Sequence, residues 1–183
     1  MEDFPYFADP LHFAHLADPG TPCDFCGDVG AVFDAQGFYG TQPLHAICSA
    51  CLKGGRLADV GASTNEVAMA ELVRLLGSEE RAHELRVEIE CRTPALPTWP
   101  DRRWPLVGGE FPRFIKIASR PDFIDQEDLL TSIPEEFRFG HDAQGLWDML
   151  PEAPITSIAD GNYDTSFYLF SSTKGKLCTW DSN

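Results

Sequence analysis

The tightest constraint on this chain is a pair of short cysteine motifs. Cys23-Asp24-Phe25-Cys26 is answered by Cys48-Ser49-Ala50-Cys51, with 21 residues between Cys26 and Cys48. Two Cys-x-x-Cys pairs can deliver four thiolates to one tetrahedral zinc ion. Each pair is short enough for one turn to aim both sulfurs at the same point, and Gly27 frees the backbone where the first turn reverses. Residues 31–39 hold two short apolar runs that read as a hairpin, and residues 52–60 read as a helix weakened by Gly54-Gly55. Knuckle, hairpin and a second Cys pair at a helix start is the order of a treble-clef zinc site. Cys23, Cys26, Cys48 and Cys51 are therefore the expected ligands of a structural Zn2+. Four thiolates leave the ion no open position for water or substrate, so it is expected to hold the fold and do no chemistry. Disulfides fit poorly with a start that lacks secretory character, and a redox Cys-x-x-Cys would account for one pair only. His45, three residues before Cys48, is the alternative ligand.

Two cysteines remain, Cys91 and Cys178, read as reduced core residues with a disulfide between them left open. The 183 residues suffice for one domain or two small ones, and no apolar run approaches the ~20 residues of a membrane span. The acidic start Met1-Glu2-Asp3-Phe4 lacks a basic leader region, which leads us to expect a cytoplasmic protein.

The net charge of −15 is unevenly spread. Residues 61–120 hold nine acids and nine bases, whereas residues 121–183 hold twelve acids against Arg138, Lys174 and Lys176. A phosphate backbone is bound by neutralising it with Lys and Arg, so nucleic acid is a poor partner for this chain. A basic partner suits it, because clustered charge of one sign steers such association.

Ahead of the cysteines, residues 4–22 read as proline-punctuated extended chain whose aromatics pack on the metal module. Ser63-Thr64-Asn65-Glu66 has the pattern of a capping box, opening a helix with Val67, Ala70, Val73 and Leu76 at helical spacing. Gly77-Ser78-Glu79-Glu80 ends that helix and starts another that buries Leu85 and Ile89, unless residues 86–90 alternate as a strand. Arg92-Thr93-Pro94 through Pro105, with Trp99 and Trp104, cannot be regular helix and reads as a crossing loop pinned by its indoles. Residues 111–118 read as a strand, and residues 165–170 and 177–180 as a closing hairpin with its turn at 171–176. The expectation is an α+β fold: a treble-clef module over residues 1–62, then an α+β domain over residues 63–183 with a small antiparallel sheet and an acidic segment at 122–164.

Several of these features recur together. The segment Phe4 to Pro10, the two Cys pairs, Arg92-Thr93-Pro94 with Trp99 and Trp104, and Phe170 followed by Trp180-Asp181 resemble, in that order, the CbrC family. The family commonly adds a His-Cys and a later Cys where this chain has Val107-Gly108 and Pro112. It also carries a Cys pair in its closing hairpin where this chain has Ser171-Ser172. The resemblance therefore carries over one metal site, at Cys23, Cys26, Cys48 and Cys51. It implies a link to colicin resistance and to proteins that neutralise bacterial toxins, and it implies no catalytic residues.

Three functions follow. The first is an immunity protein that blocks the basic substrate site of a cognate toxin, such as a nuclease, with an acidic surface. Segment 122–164 carries eleven acids and one arginine, with Phe123, Phe137, Phe139 and Trp147 interleaved. Asp122, Asp125, Glu127, Asp128, Glu135, Glu136, Asp142 and Asp148 are the expected partner-binding pool, with Trp147 as exposed anchor and Phe123 and Phe137 as core. The second is a zinc-dependent adaptor for another basic protein. The third, a metal-dependent nuclease, lacks an assembled acid–base constellation: the five histidines show no ligand spacing, His12 and His15 being the nearest pair. The chain is accordingly not expected to be an enzyme.

Overall fold

The computed structural model describes residues 3–30, 32–98, 102–160 and 164–182. Trp99, Ala31 of the expected hairpin and residues 161–163 of the acidic segment lie outside the described residues. The architecture is α+β, with helices and two small antiparallel sheets in two compact units, Met1–Phe111 and Pro112–Asn183. That division falls later than the boundary at residue 62 read from the sequence. The reason is that the long helix of the first unit packs on the short helices that follow the second Cys pair.

In the first unit, Phe4 and Phe7 are fully buried, and Phe4 meets Phe33 edge to face at 5.9 Å. Helix α1 (Pro10–Phe13) opens on a proline, whose missing N–H costs nothing at a helix start. Strand β1 (Val32–Asp34) pairs antiparallel with β2 (Ala46–Cys48), in register Val32 with Cys48. The expected hairpin is thus corrected. Its return arm is β2 and not residues 36–39, because Tyr39 exchanges backbone hydrogen bonds with Ser63 instead, at 2.9 and 2.8 Å. Residues 52–60 are split at Gly54-Gly55 into α2 (Ser49–Lys53) and α3 (Arg56–Asp59).

The expected capping box is a second correction. Helix α4 (Met69–Leu76) starts beyond it with no side-chain cap. Thr64 and Asn65 are instead fully buried and serve the far end of α5 (Glu79–Arg92). Thr64 Oγ1 donates to the Thr93 and Glu90 carbonyls at 2.7 and 3.0 Å. Asn65 Nδ2 donates to those of Ile89 and Pro94, both at 3.1 Å, and Leu96 N–H donates back to Asn65 Oδ1 at 2.9 Å. A helix end leaves its last carbonyls unpaired, and these two side chains supply the missing donors. Helix α5 is continuous to Arg92, so the strand alternative at 86–90 is not realised. Ser78 caps its start, as the Gly-Ser-Glu-Glu pattern predicts, and Ile89 and Trp104 are buried.

In the second unit, β3 (Arg113–Ile117), β4 (Thr165–Ser172) and β5 (Gly175–Ser182) form an antiparallel sheet in that order. The closing hairpin turns at Thr173-Lys174, more tightly than expected. Its register pairs Phe167 with Trp180 and Leu169 with Cys178, and alternation puts all four on one face. Helices α6 (Gln126–Ser132) and α7 (Ala143–Met149) cover that face. Phe123, Leu129, Ile133, Leu146 and Leu150 close the core. Phe137 packs against it, so Phe123 and Phe137 are core residues. Cys91 and Cys178 are buried free thiols, and burial pushes both above the ordinary thiol range. Among the described residues no helix is long and apolar enough to cross a membrane.

Candidate metal centre and acidic face

The first Cys pair sits on a knuckle closed by two backbone bonds. Cys23 N–H donates to the Asp28 carbonyl and Gly27 N–H to that of Cys23, both at 2.8 Å. Gly27 takes φ 75°, the left-handed conformation that a side chain resists. The Asp24 carboxylate accepts N–H bonds from His45 at 2.7 Å and Ala46 at 3.2 Å, while Asp24 N–H donates to the Ala46 carbonyl at 3.0 Å. Asp24 thereby ties the knuckle to β2, which ends on Cys48. Cys48 caps α2 through an N–H bond from Cys51 to its sulfur at 3.4 Å.

These elements bring the sulfurs of Cys23, Cys26, Cys48 and Cys51 within 4.8 Å of one another. Zinc–sulfur bonds of about 2.3 Å would set tetrahedral sulfurs roughly 3.8 Å apart, and Cys26 and Cys48 lie at 3.6 Å. The four residues fit a single metal ion. His45 stands outside the group, its side chain 71% exposed and Nδ1 3.9 Å from Asp24.

The electrostatics point the same way. Burial pushes the Cys23 thiol up, but N–H groups of Cys48, Phe25 and Cys26 and the Cys26 thiol outweigh it, bringing Cys23 down to about 7. Burial raises Cys48 and Cys51, and the Cys26 thiol adds to the rise in both. A bound cation would offset the burial that raises Cys48 and Cys51, because metal binding deprotonates its thiol ligands.

The acidic pool of the second unit divides by partner. Asp122 is consumed internally: its carboxylate accepts the Ser119 N–H at 2.9 Å and pairs with Lys116 at 3.0 Å. Asp128 pairs with Lys176 at 2.8 Å and accepts the Ile124 N–H. The Lys176 hydrogen bond, aided by that N–H, holds its carboxyl below the ordinary value. Asp125 and Asp142 cap α6 and α7, and Asp148 accepts from Gln144 at 2.7 Å. Glu127, Glu135 and Glu136 are exposed, and no partner for them occurs among the described residues. Trp147 is a correction. It is half-buried against the core, because α7 turns it inward beside Leu146 and Leu150, and Arg120 lies over its ring at 5.7 Å. Among the described residues of this segment, the exposed large apolar side chains are Ile124 at 88% and Phe139 at 65%. Asp24 was not singled out from the sequence; the signal was an acid inside the Cys-x-x-Cys turn.

The fold and this site define an α+β protein with a four-cysteine centre able to hold a metal ion. The sequence matches the uncharacterised protein family UPF0167 over residues 1–179, and the chain belongs to that family. No curated protein and no solved structure matches.

Proposed function

We propose that this protein is an immunity protein of CbrC type, whose second unit inhibits a cognate antibacterial toxin by occupying its basic substrate site. The toxin class that suits an acidic inhibitor best is a nuclease, whose cleft is built to receive phosphate. The observation that carries the reading is the surplus of unpaired acid around α6 and α7. Glu127, Glu135 and Glu136 are exposed, with no internal cation against them among the described residues. Arg138, the base of segment 122–164, spends its guanidinium on the carbonyls of Ile133 and Leu130, both at 3.0 Å. The ion is zinc, held by Cys23, Cys26, Cys48 and Cys51 in a structural role.

The test is co-expression with the product of the gene upstream of its own. Rescue of growth, co-purification and a salt-sensitive association rate are the expected results. A harmless, non-binding neighbour would sink the immunity reading and leave that of a zinc-stabilised adaptor for a different basic protein.

A further inference from the structure

We propose that Phe139 is the aromatic anchor through which this protein grips an arginine- or lysine-rich surface of its partner. The inference rests on the functional reading above and names its point of contact.

Phe139 lies on the corner between the 3-10 turn Glu135–Phe137 and α7. Among the described residues of the acidic segment, Phe123 is 7% exposed, Phe137 and Trp147 pack on the core, and Phe139 stands 65% open. Its ring is nonetheless held. It meets Trp180 edge to face at 5.4 Å, and Trp180 is fixed in turn by its indole N–H to the Phe137 carbonyl at 2.7 Å. Trp180 also stacks on buried Phe167 at 6.0 Å, and His141 meets its ring at 5.4 Å. A rigid aromatic on a fixed platform loses little entropy on binding, which is the quality of an interface anchor.

Two observations say what it meets. The Phe139 backbone has φ 49°, a left-handed conformation that bulky residues avoid, and Gly140 follows at φ 81°. A corner that needed only to turn would be served better by glycine or asparagine, so the ring is kept here at a backbone cost. The exposed carboxylates nearby in sequence add a second observation. Glu135 and Glu136 are exposed and without side-chain partners among the described residues, and the exposed Asp142 carboxylate accepts the Gly145 N–H at 2.8 Å. Arg138 next door is turned onto backbone carbonyls. A guanidinium or ammonium arriving here meets carboxylates and a π face together.

The experiment is an NMR titration of the full-length, zinc-loaded protein with hexa-arginine, with hexa-glutamate as control. The expected result is saturable shifts concentrated at residues 135–142 and the Trp180 indole, with none for hexa-glutamate. Phe139→Ser and Phe139→Gly should each weaken binding about tenfold. The glycine variant suits the left-handed backbone, so its loss reports the ring and not a damaged turn. Glu80→Gln, which removes one exposed charge from α5, should leave binding unchanged. Shifts spread over the acids of both units, or wild-type affinity in either Phe139 variant, would overturn the anchor. The upstream toxin separates the two readings: rescue that survives Phe139→Ser sinks the anchor and keeps immunity. An inert neighbour with localised peptide shifts sinks immunity and keeps the anchor.

Discussion

The two units of this chain reach order by different means. In the first, paired strands are three residues long, and organisation passes through four converging sulfurs and the buried Thr64–Asn65 network. In the second, two eight-residue strands present an apolar face that two helices cover. Three-residue strands order little of the first unit by themselves, and the converging sulfurs and satisfied polar groups tie its short elements together. The handling of charge differs as well. Several acids on the first unit's helices meet bases a turn away, as in Arg81–Glu84, Arg86–Glu90 and Arg92–Glu88. The second unit leaves Glu127, Glu135 and Glu136 without such partners among the described residues, so its charge is available to another molecule.

Removing the metal should break the comparison most sharply. Structural zinc sites contribute on the order of 10 kcal/mol of folding energy, so chelation or Cys48→Ser should melt the first unit outright. Hydrogen exchange on the full chain should show residues 3–98 losing protection while β4 and β5 keep theirs. Protection lost equally in both units would show that the second depends on the metal too. The reciprocal change is Leu146→Ala, at a fully buried position of the second core. It should cost about 2–5 kcal/mol in the second unit's unfolding and leave the metal content unchanged at one ion per chain. Metal lost along with that core would contradict the separation.

The smallest effects are in pH, and they have opposite signs. Glu90 in the first unit is raised above the ordinary carboxylate value by burial, which outweighs the nearby Arg86. An acid raised in the folded state binds its proton more tightly there than when unfolded, so stability falls as pH rises through its folded value. Glu90→Gln should therefore gain melting temperature at neutral pH and converge with wild type in acid. Asp128 in the second unit is lowered, first by Lys176. Its contribution is present above the ordinary carboxylate value of about 4 and is lost as pH falls through the folded value. Lys176→Met should thus lose melting temperature at neutral pH, slightly because the pair faces water, and converge in acid. Equal signs for the two variants would refute this account.

What the sequence by itself determined is what short-range geometry dictates. The Cys-x-x-Cys spacing, Gly27 at the reversal, Ser78 at the start of α5 and the alternation of the closing hairpin all act within a few residues, and each stands where it was read. The tertiary structure decided what depends on residues distant in sequence. β2 takes the place of residues 36–39 as the return arm, because pairing is chosen by what the fold brings alongside. Thr64 and Asn65 look like a local cap but answer carbonyls more than twenty residues away. Asp122, Asp128 and Trp147 look as exposed as their neighbours in sequence. Lys116, Lys176 and Arg120 cover them only once the sheet and helices are assembled, since a side chain's partner is set by distance in space.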